Sequence, residues 1–268
     1  MAEKMKAAVF EAVKKVVVKE VPVPVVGDGE VLIKVKNTGI CGTDWSIYNG
    51  WYSADKLPMI PGHEFSGVIA KVGKNVAGWK EGDRVTADIN MYCGNCYYCS
   101  QGNYLMCDQF TQLGIHTDGT FAEYVKAPAN LLHHLPDNLS FEAGAFIEPV
   151  SCCIHAAKAV NARVGGSMAI VGCGLGVLHA RMAVLRSCAP VIIIGDNKKR
   201  LSIAKDMREL APGSLLVNFT NPSGIVVNRT SLNQNINIST GTVTSLGHNF
   251  IGNGTGSNVA WIASDVVG

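Results

Sequence analysis

The stretch "MYCGNCYYCSQGNYLMC" places Cys93, Cys96, Cys99 and Cys107 in the spacing C-x2-C-x2-C-x7-C. Thiols this close together can form disulfides, hold a metal or simply pack in a core. A structural zinc takes four soft ligands in a tetrahedron, and short C-x2-C turns aim two thiolates at one point. Gly94 and Gly102 supply tight turning between the ligands. An iron–sulfur cluster would favour a shorter last gap followed by proline, whereas Asp108 follows Cys107 here. Nine cysteines, an odd number, fit complete disulfide pairing poorly. The spacing predicts a zinc with all four positions filled by protein, which leaves no room for a substrate. Chemistry must be sought elsewhere.

Upstream, "NTGICGTDWSIYNG" and "PMIPGHEFSGVI" hold Cys41, His63 and Glu64. A thiolate, an imidazole and a carboxylate with a fourth position left open is the pattern of a catalytic zinc. Each residue also has an ordinary reading. Cys41 could be buried core, His63 a loop hydrogen-bonding group and Glu64 a solvated surface acid.

These side chains need elements to hold them. In the second half, "GSMAIVGCGLGVLHARMAVLRSC" reads as a short apolar strand, a glycine turn and a helix. "PVIIIGDNKKRLSIAKDM" reads as a second strand and helix. Together they form a βαβ unit with a dinucleotide-binding pattern. Gly172 and Gly174 fit G-x-G, where absent side chains let the backbone approach a pyrophosphate at the helix N-terminus. Gly176 comes one residue early for G-x-G-x-x-G. Either the turn is shorter or Val177 takes the last position.

The pieces "GICGTD", "PGHEFSGVIAKVG", "GDRVTADIN", the four-cysteine lobe, "GTFAEYV" and "FIEPVSCCIHA" resemble, in order, the zinc-containing medium-chain alcohol and polyol dehydrogenases. The likeness runs from residue 5 to about residue 206. It implies a GroES-like β-barrel carrying two zinc ions, one catalytic and one structural. It implies Cys41 and His63 as catalytic zinc ligands, with Glu64 and Glu148 as carboxylates on or beside the metal. Asp44 would hold His63 from behind, and Thr43 would pass on the substrate proton. Many members end that relay on a histidine where this chain has Ser46. The activity implied is hydride transfer between a small alcohol, sugar or polyol and a nicotinamide, with zinc as Lewis acid.

NAD-using members usually carry an acid where Gly195 stands, and Asp196 follows one residue later. An acid there would bind the ribose 2′-hydroxyl, giving NAD as the expected cofactor. The alternative is NADP, accepted by Arg200 with Lys198 and Lys199.

From residue 213 the composition changes. Arg229 and Asp265 are the only charged residues in a tail rich in Asn, Gly, Ser and Thr. Residues 207–226 are similar to a fragment of the NAD-dependent glycosidases, through "NFTNPSG" with Asn218 and Asn221. Residues 229–268 resemble rungs of a secreted parallel β-helix. Such joins read as a chimera, although "SLLVNFT" could also pair as a third parallel strand. The alternative function is a zinc- and nucleotide-binding chain without turnover.

The expected fold class is therefore α+β with α/β. A GroES-like barrel over 1–150 precedes a partial Rossmann-type domain over 151–212 and an atypical β-prone tail over 213–268. With 47% apolar residues a sizeable core can form, and a net charge of +2 on dispersed residues argues against a nucleic-acid face. The absence of a long apolar run argues against a membrane span, and "MAEKMKAAVF" lacks a signal peptide's apolar core. The expected setting is cytoplasmic, where thiols stay reduced. Nothing in the sequence indicates an oligomeric state. Cys152, Cys153, Cys173 and Cys188 are expected to be packing residues.

Overall fold

The computed structural model describes residues 3–160, 163–195 and 197–205, and the backbone of four later strands at 215–219, 225–228, 235–238 and 243–245. Asp196 and Asn221 lie outside the described residues. The chain divides into two compact units, Met1–Pro149 and Val150–Gly268.

The first unit is built on antiparallel strands. The hairpin β1 (Lys4–Ala12) and β2 (Lys15–Pro22) is followed by β3 (Glu30–Thr38), the short helix α1 (Gly42–Tyr48), β4 (Phe65–Val72) and β5 (Arg84–Ala87). The small pair β6 (Asn90–Met91) and β7 (Thr111–Gln112) brackets the cysteine lobe with its helix α2 (Tyr97–Ser100). Then come β8 (Tyr124–Pro128), β9 (Leu132–His134) and α3 (Phe141–Ala145). The main sheet has the order β8-β3-β4-β5-β9.

Alternation explains which face is inside. Val31, Ile33, Phe65, Ile69, Val85 and Val125 meet in one core with Ile47 of α1. Register shifts in the β3–β4 ladder, between Leu32 and Ile33 and between Val35 and Asn37, mark bulges. A bulge adds twist and bends the sheet. Arg84 closes the end of the sheet: its guanidinium lies 4.5 Å above the Phe141 ring and donates to the Asp137 and Leu139 carbonyls.

The second unit begins in α4 (Ile147–Val160) and continues through β10 (Met168–Val171), α5 (Gly176–Leu185), β11 (Val191–Gly195) and α6 (Lys198–Lys205). β10 and β11 are parallel, with Met168 opposite Val191. Every residue of β11 is buried, as expected for a parallel strand covered on both faces. Ala180 and Ala183 of α5 and Leu201 of α6 pack with Ile193 in its core.

The third parallel strand does form. In β12 (Leu215–Phe219), Leu215 pairs with Ile192 and Asn218 with Gly195. The β-helix expectation fails among the described strands. β13 (Ile225–Asn228) and β14 (Asn235–Ile238) are an antiparallel pair, and β15 (Val243–Ser245) runs antiparallel to β12. Parallel rungs need same-direction pairing from coil to coil, and these strands instead turn back on their neighbours. Asn218 is a residue of β12.

Among the described residues no helix is long and apolar enough to cross a membrane. Among the described residues no disulfide joins any of the nine cysteines. Cys153, Cys173 and Cys188 are buried as expected, but Cys152 is exposed. It faces away from Cys153 because consecutive residues on a helix point about 100° apart.

Candidate metal centres and nucleotide loop

Cys93, Cys96, Cys99 and Cys107 bring their sulfurs together within 4.8 Å of one another. A zinc with sulfurs at about 2.3 Å would set them about 3.8 Å apart in a tetrahedron. The Cys107–Cys93 and Cys93–Cys99 separations are 3.5 and 4.0 Å, on either side of that value. Gly94 (φ +78°) and Gly102 (φ +74°) hold the left-handed backbone that turns the chain between ligands. Backbone N–H groups of Cys93 and Gln109 each donate to Cys107 Sγ at 3.3 Å. Donation from the Asp108 and Cys99 backbone pulls the Cys96 thiol down to about 6. Burial, with Cys96 beside it, pushes the Cys99 thiol up to about 12. Four protonated thiols at these separations repay little of their burial, whereas four thiolates around one divalent cation do. The residues fit zinc.

The second group is Cys41, His63 and Glu64, whose ligand atoms also lie within 4.8 Å of one another. Cys41 is the residue before α1, and His63 and Glu64 precede β4. Burial pushes the Cys41 thiol up, and burial likewise pushes Glu64 up, with the charge of Glu148 adding to it. Glu148 is thus electrostatically in range, but its carboxylate is not one of the three donors that converge. Three dissimilar donors, two of them raised by burial, suit a divalent cation that neutralises them.

Asp44 organises both loops. Its carboxylate accepts the Cys41 N–H at 2.8 Å and the Gly62 N–H at 3.3 Å. It is 2% exposed, so these bonds act in a dry environment. Burial pushes its pKa up, and the two N–H donors oppose that. The sequence led to an Asp44 that holds the His63 ring. Asp44 Oδ1 does face His63 Nδ1, at an ion-pair distance of 3.7 Å that is too long for a hydrogen bond, and among the described residues that buried nitrogen has no hydrogen-bond partner. Asp44 therefore fixes the backbone on which the candidate ligands stand, and faces the His63 ring beside them.

Three glycines complete the setting. Gly62 has φ +98°, and a side chain there would collide with Phe121. Side chains on Gly114 or Gly119 would run into the Gly62 carbonyl. The Gly119 N–H bonds the Ile60 carbonyl at 2.6 Å and the Thr120 N–H bonds Gly62 at 2.9 Å. Backbone lies directly on backbone around His63. Sequence reasoning missed Gly114 and Gly119. Their only signal was the glycine spacing in "LGIHTDGTF", and nothing local ties it to residue 62.

Thr43 Oγ1 lies 3.6 Å from Cys41 Sγ. Ser46 turns its hydroxyl into its own helix, donating to the Gly42 carbonyl at 3.1 Å. His116 accepts the Gln112 N–H at Nδ1 (3.1 Å) and meets the edge of Tyr52. Tyr48 packs edge-on against Phe10, while Trp51 is 73% exposed.

In the second unit the loop between β10 and α5 carries Gly172, Gly174 and Gly176. Gly172 has φ +106° with open space where a side chain would be. Gly176 opens α5 and is buried. A first side-chain carbon there would touch Ile170 at 3.4 Å and Ile193 at 4.0 Å. Gly176 is thus the loop glycine that faces β10 and β11, with room for ordinary contact only. The first helical N–H groups of α5 lack intrahelical partners and are available to an anion. The cradle fits a pyrophosphate.

An antiparallel domain with a closed four-cysteine lobe and an open Cys–His–Glu group, followed by a glycine-loop βαβ unit, defines the class of two-domain zinc-type dehydrogenases. The alcohol dehydrogenase GroES-like domain family matches residues 27–137. The L-threonine 3-dehydrogenase of Bacillus velezensis is 38% identical over 77% of this chain and 61% of its own length. The sorbitol dehydrogenase of Halalkalibacterium halodurans is 40% identical over 71% and 56%. A solved zinc-binding dehydrogenase from Sinorhizobium meliloti 1021, bound to NADP, superposes with a TM-score of 0.74 at 34% identity, covering 81% of this chain and 62% of that one. The chain belongs to the zinc-containing medium-chain alcohol and polyol dehydrogenase family. It spans 61% of the first of these relatives and 56% of the second.

Proposed function

We propose that this chain serves zinc-dependent hydride transfer between a small alcohol or polyol and a nicotinamide dinucleotide. The observation that carries this reading is the convergence of Cys41, His63 and Glu64 within 4.8 Å, three donors that leave a coordination position for substrate. Zinc bound there supplies Lewis acidity toward a substrate hydroxyl, and the nicotinamide supplies the hydride acceptor.

The remaining work falls to the chain's own residues. Cys41, His63 and Glu64 hold the metal, with Glu148 as the nearby carboxylate. Asp44 keeps the two ligand loops in register. Thr43 passes the substrate proton onward, its hydroxyl accepting that proton as it releases its own toward solvent. Ser46, bonded into its helix, does not extend that relay. Cys93, Cys96, Cys99 and Cys107 hold a second zinc that stabilises the fold. Gly172, Gly174 and Gly176 take the pyrophosphate, and Asp196 or Arg200 the adenosine ribose. The cofactor is accordingly NAD or NADP. The sorbitol dehydrogenase relative supports a polyol as substrate. A reducing compartment such as the cytoplasm suits thiolate ligands.

The test is an NAD(P)H absorbance assay on the zinc-loaded full chain, with a panel of polyols and both nicotinamides. Product with at least one polyol, abolished by Cys41→Ala, is expected. A folded, zinc-loaded chain that gives no signal with any pair overturns the reading.

A further inference from the structure

We infer that Gly39 is the positioning residue that keeps the Glu64 carboxylate at the open metal centre, by leaving near Cys41 a space that any side chain would take. This rests on the reading of Cys41, His63 and Glu64 as a metal group. The observation begins with strand pairing. β3 ends at Thr38, opposite Phe65, where β4 begins. The pairing runs one step further, because the Gly39 N–H donates to the Glu64 carbonyl at 2.6 Å. Gly39 and Glu64 therefore stand opposite each other, and opposite residues of an antiparallel pair send their side chains to the same face. A first side-chain carbon on Gly39 would collide with Glu64 Oε2 and lie 3.2 Å from Glu64 Cβ and 3.5 Å from its Cδ. All three nearest atoms belong to Glu64. Its carboxylate is thus folded back over bare backbone two residues from Cys41, and its ligand oxygen lies within 4.8 Å of the Cys41 and His63 ligand atoms.

The backbone at Gly39 does not itself require glycine. Its φ lies outside the left-handed region, so an alanine there meets no conformational strain. The closest obstacle to a methyl is the free end of a side chain, which can swing away. What a methyl removes is therefore the carboxylate's place rather than the fold. Gly42, on the other side of Cys41, is the contrast: a carbon built there has nothing within 4 Å.

The experiment is competition of the full chain with a chromogenic zinc chelator, reading the affinity of the zinc that Cys41→Ala removes. Gly39→Ala should lower that affinity about 10–100-fold, the range for residues that support metal ligands. Glu64→Ala should lower it as far, and Gly39→Ala added to Glu64→Ala should lower it no further. Gly42→Ala should hold the parent affinity, and the melting transition of Gly39→Ala should stay close to the parent's. Where Gly39→Ala alone fails to fold, the double variant, which has no carboxylate to displace, should fold with the affinity of Glu64→Ala. An unchanged affinity in Gly39→Ala, a further loss in the double variant, an equal loss in Gly42→Ala or a double variant that does not fold overturns the inference. An affinity that Glu64→Ala leaves unchanged also overturns it, while Cys41 and His63 stand as zinc ligands. A zinc content that Cys41→Ala does not change overturns the metal reading as well.

Discussion

The two candidate metal centres of the first unit are assembled in opposite ways. The four-cysteine lobe takes all its ligands from residues 93–107, and its turns are set by two glycines inside that same segment. The Cys41–His63–Glu64 group gathers its ligands from two loops, and its geometry depends on Asp44 and on glycines as distant as Gly119. In the lobe, backbone N–H groups point at the Cys107 sulfur, while burial is the largest influence on Cys41, on Glu64 and, within the lobe, on Cys99. A structural centre can be local because it has only to close on itself. A centre with an open position must be held from outside, since its metal cannot supply the missing restraint.

That contrast can be broken from either side. The largest effect should come from the lobe. Cys99→Ser, or stripping zinc with a chelator, removes a metal whose binding is worth on the order of 10 kcal/mol in small zinc domains. Thermal denaturation should show the first unit destabilised, and metal analysis should show the lobe's zinc gone. Cys41→Ala should instead remove the other metal and leave the melting transition close to that of the parent. Gly114→Ala comes next. Its added methyl meets the Gly62 carbonyl, so the backbone must shift, at about 1–3 kcal/mol for overpacking of this kind. Chemical denaturation should register that loss, along with weaker metal binding at His63. Asp44→Asn keeps the size but loses the charge that anchors two N–H groups. We expect zinc affinity at the open centre to fall about 10–100-fold, as for other residues that support metal ligands, with the lobe's zinc retained.

The smallest effect lies outside both centres. Lys15 and Lys19, each 2.8 Å from Glu11, hold its carboxyl down to about 2. A depressed acid stabilises the fold above its unfolded pKa, and that contribution disappears as pH falls toward about 2. Glu11→Gln should therefore change the melting temperature only slightly at neutral pH. The difference should shrink on acidification and in high salt.

The same contrast explains what could be read from the chain beforehand. The lobe was legible because its spacing is its geometry. The βαβ unit was legible because apolar runs and glycines mark each element in order, and the third strand at "LLVNF" followed from its own pattern. The ligands at the open centre were visible as residue types. Their support was not, because Gly62 against Gly114 and Gly119 is a contact between loops that no local pattern encodes. Asp44 followed from the family resemblance as a support for His63, but its hydrogen-bond donors are backbone N–H groups, which carry no sequence signature. The tail misled because Thr, Val, Ile and Asn-Gly turns serve hairpins as readily as β-helix rungs. Only the pairing direction of β13 and β14 separates the two.

The central claim is that the first unit holds one closed and one open zinc centre that are independent of each other. Metal content of the purified full chain tests it most directly. Two zinc ions per chain are predicted, one surviving in Cys41→Ala with an unchanged melting transition. A single zinc per chain that Cys41→Ala leaves in place would contradict the account.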